Sequence, residues 1–190
     1  MKRIAVFASG GGSNAENIAR YFATNPEVEI SLILSNKADA FVHERAKILH
    51  IPSYTYSKKE FDEGVGIVDL LQENEIDFVV LAGFLLKVSQ PIIDAFPGRI
   101  VNIHPALLPK FGGKGMYGDR VHQAVVESGE TESGITIHYI NENYDEGAVI
   151  FQAKCDVLPG DSAADVAQKV HELEYRHFPA VIEEICKKQV

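Results

Sequence analysis

Cysteine is scarce in this chain. Cys155 and Cys186 are the only two in 190 residues, and they form no Cys-x-x-Cys pair. That argues against a disulfide scaffold or a structural zinc site, and it fits a reducing compartment. Long apolar runs are also missing. None approaches the roughly 20 residues that span a bilayer. The start, Met1-Lys2-Arg3-Ile4, reaches glycines before a signal-peptide core could form. It reads as the first strand of a cytoplasmic protein with no membrane partner. Positive charge is in short supply, with 18 Lys and Arg against 27 Asp and Glu and a net charge of −9. This argues against nucleic-acid partners, which need a positive footprint. An anionic substrate would have to be held by local donors, because the long-range field repels it. Metal-ligand spacing is absent as well. His104, His122 and His138 follow no ligand pattern, and His171 and His177 fall on different faces of a helix, so no metal is expected. His43 and His50 read as surface helix residues, and the two cysteines as packing residues.

The remaining composition is that of an ordinary globular protein, 46% hydrophobic and 24% charged. A chain of this size buries roughly 70% of its unfolded surface and needs no staples. No repeat, linker or low-complexity segment divides it, so a single domain over 1–190 is expected. Strand and helix alternate through the first half. Ile4-Ala5-Val6-Phe7-Ala8 is a strand that runs into glycines. A helix follows, with Ser13 or Asn14 as its N-cap. Residues 29–34 form a second strand, 40–50 a helix stopped before Pro52, and 61–74 a helix weakened by Gly64 and Gly66. Phe78-Val79-Val80-Leu81-Ala82 is apolar throughout, as in a strand covered on both faces. Residues 99–104 form another strand. In the second half, 134–140 and 148–157 form an antiparallel pair, and a long helix starts with a capping-box pattern at Asp161-Ser162-Ala163-Ala164-Asp165. The expected fold is α/β: a Rossmann-like, mostly parallel sheet with helices on both faces and a late antiparallel pair.

Four segments carry chemistry. Ser9-Gly10-Gly11-Gly12-Ser13-Asn14 sits at a strand-to-helix junction, where free N–H groups and the helix dipole favour an anion. No lysine follows, so this is not a Walker A loop. Gly10, Gly12 and Ala15 match a dinucleotide fingerprint, but the second strand ends in Ser35-Asn36-Lys37 and lacks an acid for a ribose diol. Asn102 and His104 lie two apart near the carboxyl end of a strand, so they share a face. Both can donate to a developing oxyanion, and His can carry a proton. The turn Asn141-Glu142-Asn143-Tyr144-Asp145-Glu146-Gly147 could bring a carboxylate to His104 and relay protons through water. It could equally be a solvated acidic turn. Finally, Leu81-Ala82-Gly83-Phe84-Leu85-Leu86-Lys87-Val88 reads as core packing, or as a pocket wall for a flat ring.

These segments, in this order, resemble the phosphoribosylglycinamide formyltransferases, a family of folate-dependent formyltransferases. Ser35-Asn36-Lys37-Ala38-Asp39-Ala40, Ala106-Leu107-Leu108-Pro109 and Gln152-Ala153-Lys154 extend the resemblance, which covers residues 4–185. It implies formyl transfer from 10-formyltetrahydrofolate to 5′-phosphoribosylglycinamide in purine biosynthesis. It implies Asn102, His104 and Asp145 as catalytic residues. Gly12, Ser13 and Asn14 would hold the substrate phosphate, with Glu174 on the ribose and His171 one turn earlier. The folate would lie on Leu85, Leu86, Lys87 and Val88, on Asn102, and on Asn141, Tyr144 and Asp145, with its tail near Lys58 or Lys59. The partners implied are small molecules, acting on a monomer or a homodimer. One segment departs from well-known members. Phe111-Gly112-Gly113-Lys114-Gly115-Met116-Tyr117-Gly118 is longer and richer in glycine. Length and net charge argue against methionyl-tRNA formyltransferase, which carries an added tRNA domain. The early first strand argues against formyltetrahydrofolate deformylase, which has an N-terminal regulatory domain. A deformylase-like hydrolase and a nicotinamide-dependent reductase with Lys37 near a 2′-phosphate remain the alternatives.

Overall fold

The computed structural model describes residues 1–143 and 145–188. In chain order the elements are β1 (Lys2–Phe7), α1 (Ser13–Phe22), β2 (Val28–Ser35), α2 (Val42–Ile48), β3 (Ser53–Thr55), α3 (Lys58–Glu63) and α4 (Val65–Glu73). Then come β4 (Phe78–Leu81), α5 (Gln90–Ala95), β5 (Ile100–His104), α6 (Asp119–Glu127), β6 (Glu132–Tyr139), β7 (Val149–Asp156) and α7 (Ala163–Lys188). The strands form one sheet in the order β3-β2-β1-β4-β5-β6-β7. Pairings from β3 to β5 are parallel, and β6 and β7 are antiparallel. The α/β expectation, including the late antiparallel pair, is met.

Alternation along the strands sends side chains to two cores. Ile4, Val6, Ile33, Val101 and Ile137 pack under α1, α2, α6 and α7. Ala5, Phe7, Leu32, Leu34, Val79 and Leu81 pack under α3, α4 and α5. β1, β2 and β4 are apolar on both faces because both faces are covered. The strand order reverses between β1 and β4. At such a switch point, crossovers leave the sheet in opposite directions and open a crevice at the carboxyl ends.

Local chemistry corrects several boundaries. The expected helix over 61–74 is two helices. Gly64 has φ 75, ends α3 and starts α4. A Cβ there would lie 2.5 Å from Ser89 Oγ, so only glycine fits the bend. α3 begins in a capping box that Ser57 and Glu60 complete, which brings Lys58 and Lys59 into a helix. The N-cap of α1 is Gly12, with φ 70 and no side-chain cap, rather than Ser13 or Asn14. The sequence reading leaves out β3, α5 and α6. The first two are only three and six residues long, and propensity is a weak guide over such short segments. The capping pattern at the start of α7 is present as expected. Ser162 Oγ accepts the Asp165 N–H, and the Asp165 carboxylate accepts the Ser162 N–H. His50 is exposed, but it follows α2 rather than lying in it. His43 is half-buried, its ring 3.0 Å from Ser53 Oγ. No helix among the described residues is long and apolar enough to cross a membrane.

Candidate active site

The carboxyl ends of β1, β4 and β5 open into one cleft of about 580 Å³. The ends of β1 and β4 are fastened together there. The Ser9 N–H donates to Gly83 O at 3.0 Å, and Ser9 Oγ accepts the Leu85 N–H at 2.9 Å. Beyond Ser9 the chain passes through Gly10 and Gly11 into α1. A Cβ on either glycine would meet nothing within 4 Å. Gly12 differs, because its Cβ would lie 2.4 Å from Val42 Cγ2. Its need for glycine therefore comes from the close packing of α2, together with its positive φ. α2 braces the loop further. Val42 N donates to Gly10 O, and Arg45 Nε donates to Gly11 O at 2.7 Å. Because no side chain caps α1, its first-turn N–H groups keep their capacity for an anion.

β5 supplies the polar face. Val101 and Ile103 turn to one core, so Asn102 and His104 share the opposite face, which opens into the cleft. Antiparallel pairing sets His138 of β6 directly against Asn102. His138 Nδ1 donates to the Tyr139 carbonyl at 2.9 Å. Its Nε2 is therefore an acceptor in the neutral ring, and Asn102 Nδ2 donates to it at 3.1 Å. Burial holds the His138 pKa below its ordinary value, which keeps the ring in that neutral form. The bond fixes the Asn102 amide and leaves its second N–H for another acceptor.

His104 is buried, and its Nε2 donates to the Phe111 carbonyl at 2.7 Å. As a neutral ring it therefore presents a bare Nδ1. Asp145 faces that atom, with Oδ2 3.7 Å from His104 Nδ1 and Oδ1 3.6 Å from His138 Nε2. Asp145 Oδ2 also accepts the Gly113 N–H at 2.9 Å. Thr136 anchors the turn after His104. Its hydroxyl donates to Ala106 O and accepts the Leu108 N–H and a Gln152 amide hydrogen. The result is an amide donor, an imidazole acceptor and a carboxylate, each held by backbone or a buried partner. Such a set can receive a proton and steady a developing oxyanion.

At the other end, Asn14 and Glu174 are buried together. Asn14 Nδ2 and His171 Nδ1 both donate to Glu174 Oε2, at 2.8 and 2.9 Å. The Glu174 bond raises the His171 pKa above its ordinary value, against the opposing effect of burial. The apolar lining of the cleft is Leu81, Ala82, Gly83, Phe84, Leu85, Leu86, Val88 and Ile140. Gly83 has φ 74 and open space at its Cβ position, so its backbone is left uncovered there.

A family model described as "Formyl transferase" matches residues 2–182. The chain belongs to the formyl transferase family. It is 40% identical over its whole length to a chloroplastic phosphoribosylglycinamide formyltransferase of Arabidopsis thaliana, of which it spans 67%. It is 39% identical to the phosphoribosylglycinamide formyltransferase of Haemophilus influenzae, over 96% of this chain and 86% of that one. The crystal structure of phosphoribosylglycinamide formyltransferase from Streptococcus pneumoniae TIGR4 superposes with a TM-score of 0.86 at 40% identity, covering 97% of this chain and 99% of that one.

In this member of the formyl transferase family, most of the expected site residues meet in the one cleft. Gly12, Ser13, Asn14, Leu85, Leu86, Lys87, Val88, Asn102, His104, Asn141, Asp145, His171 and Glu174 all line it. Lys58 does not. It sits on α3 in an i,i+4 ion pair with Asp62, outside the lining. Tyr144 lies outside the described residues. The sequence reading passed over His122 and His138, looking at them only as metal ligands and finding no ligand spacing. It also passed over the Phe111 carbonyl and the Gly113 N–H. Backbone groups carry no sequence signature, and the Asn102–His138 pairing depends on a register between distant strands.

Proposed function

We propose that the chain, acting as a single domain over 1–190, transfers the formyl group of 10-formyltetrahydrofolate to the amine of 5′-phosphoribosylglycinamide. The products are the N-formyl ribonucleotide and tetrahydrofolate. One observation carries this reading: an uncapped helix start suited to a phosphate and an Asn102–His104–Asp145 set suited to acyl transfer share one cleft. The cleft also fits a folate-derived donor, because an apolar stretch that leaves the Gly83 backbone open runs along the same cleft as the polar groups. Leu85, Leu86, Val88 and Asn141 would hold that donor. Gly12, Ser13 and Asn14 would hold the phosphate.

The amine attacks the formyl carbon, a C–N bond forms, and the carbonyl oxygen becomes an oxyanion. The unused N–H of Asn102 stabilises it. The bare Nδ1 of His104 takes the proton from the attacking nitrogen, and the ring then bears a charge that Asp145 offsets. The same proton moves to the folate nitrogen as the old C–N bond breaks, directly or through water. His104 thus serves first as an acceptor, since the N–H of its neutral ring is held by Phe111. Scarce cysteine supports a reducing compartment such as the cytoplasm. The test is a formyl-transfer assay with both substrates, run on the wild type and on His104→Ala. Activity in the first and a loss of about 10²-fold or more in the second are expected. Release of formate without transfer would favour the hydrolase alternative. Tight NADPH binding would favour the reductase.

A further inference from the structure

His122 is a buried polar side chain that the proposed mechanism does not use. It lies on α6, lines the cleft, and is 3% exposed. Its Nδ1 is fully buried and has no hydrogen-bond partner. Such orphans are rare in folded proteins, and each calls for a cause. A second orphan, Asn14 Oδ1, occurs on the same lining. Between them runs a chain of contacts. Asn14 and His171 share Glu174 Oε2, and the His171 ring centroid is 6.5 Å from that of His122.

The charges around His122 are few. Asp119 faces it from its own helix, His171 and Glu174 from α7, and His104 from β5. Lys87 and Lys114 are the only lysines on the cleft lining among the described residues, and no arginine lines it. A phosphate dianion arriving at the start of α1 therefore enters a cleft lined by Lys87, Lys114, the half-exposed His171 and the buried His122, against the carboxylates of Asp119, Asp145 and Glu174.

We propose that His122 is a ligand-sensing cation: it is neutral in the free protein and takes up a proton when the phosphoribosyl group enters the cleft. This inference rests on the proposed function for the identity of the ligand. In the free protein, burial and the neighbouring His171 lower the His122 pKa. A nearby dianion reverses that balance, because an opposite charge favours the protonated ring. The sign follows by linkage. The bound state holds more protons, so affinity falls as pH rises from near neutrality through the bound-state pKa.

Calorimetric titration of 5′-phosphoribosylglycinamide tests this at pH 7 in two buffers of different ionisation enthalpy. A buffer-dependent heat is expected, corresponding to a substantial fraction of one proton taken up. His122→Asn should abolish the uptake and weaken ribonucleotide binding by about tenfold. Folate binding should not change. His171→Gln should leave most of the uptake in place. A second measurement covers a His122→Asn protein that fails to fold: long-range 1H–15N spectra of the wild type. The His122 ring should pass from the neutral to the doubly protonated pattern on ligand addition. Binding with a buffer-independent heat, or uptake retained in His122→Asn, overturns this proposal alone. Absence of ribonucleotide binding overturns the proposed function as well.

Discussion

Asp145→Asn removes one charge and leaves the shape of the site almost unchanged. An amide has the size of the carboxylate, and its carbonyl oxygen can still accept the Gly113 N–H. The Asp145 and His104 side chains are 13% and 5% exposed, with Oδ2 3.7 Å from Nδ1. Unit charges 4 Å apart attract by about 4 kcal/mol at an effective dielectric near 20. That attraction matters only while His104 is charged, when it holds the proton from the attacking amine. Lost in full, it would slow the reaction by about three decades. Cleft water takes up part of the difference, so a fall in kcat of about 10²–10³ is expected. Folate KM should change by less than about threefold, because the apolar wall is untouched. Glu142→Gln is the control. Glu142 is exposed in the same turn and lines a neighbouring groove with Asp62 and Lys87, so its variant should turn over like the wild type. Steady-state formyl transfer and circular dichroism on both variants decide the matter. If Asp145→Asn keeps its turnover, or if the two variants behave alike, the electrostatic argument fails and the segment is a solvated acidic turn.

Asn102→Ala should reduce formyl transfer by about 10²–10³-fold. It also leaves His138 Nε2 without its donor, so chemical denaturation should show a further loss of about 1–3 kcal/mol. Gly12→Ala drives a Cβ into Val42 at positive φ and should lower stability by about 1–2 kcal/mol or more. Gly11→Ala points into open space and should keep the wild-type melting temperature; equal melting temperatures for the two would refute the packing explanation. Burial lowers the folded-state pKa of His122 and His138 below their unfolded values. The unfolded chain then binds more protons below about pH 6.5, so stability should fall as the pH drops from there toward the folded values. His171 has a raised pKa and opposes this, since its contribution is present at low pH and lost as pH rises. Urea midpoints for the wild type and His138→Gln should converge on acidification. Parallel lines would show that His138 contributes nothing to the pH dependence.

Much of the frame was legible because its signals are local. Apolar runs mark β1 and β4, and on β5 period-two reasoning puts Asn102 and His104 on one face. The glycine loop shows its place by following a strand. What stayed hidden depends on distant parts of the chain. His138 is recognisable as a partner of Asn102 only once the β5–β6 register is known. Gly12 looks like a glycine kept for an anion, yet its nearest neighbour is a valine on the next helix. Gly64 was noted as a weakness in one helix, whereas its positive φ and the nearness of Ser89 make it the joint between two. Lys58, expected near a folate tail, lies on α3 beside Asp62, a place that only the start of that helix defines.

The grip of residues 111–113 on the site is made by main-chain atoms. A carbonyl of Phe111 orients one reacting group, and an amide of Gly113 holds another. Side-chain identity enters where space is short, as at Gly112, whose Cβ would lie 2.5 Å from Leu108 Cδ2, and where φ is positive, as at Gly113. Such a segment constrains length more than spelling. A saturation library over Lys114, Met116 and Tyr117 should return many active letters at each position, while Gly115, with φ 91, should return mostly glycine. A one-residue insertion between Lys110 and Gly113 would slide a different carbonyl under His104 and should return none.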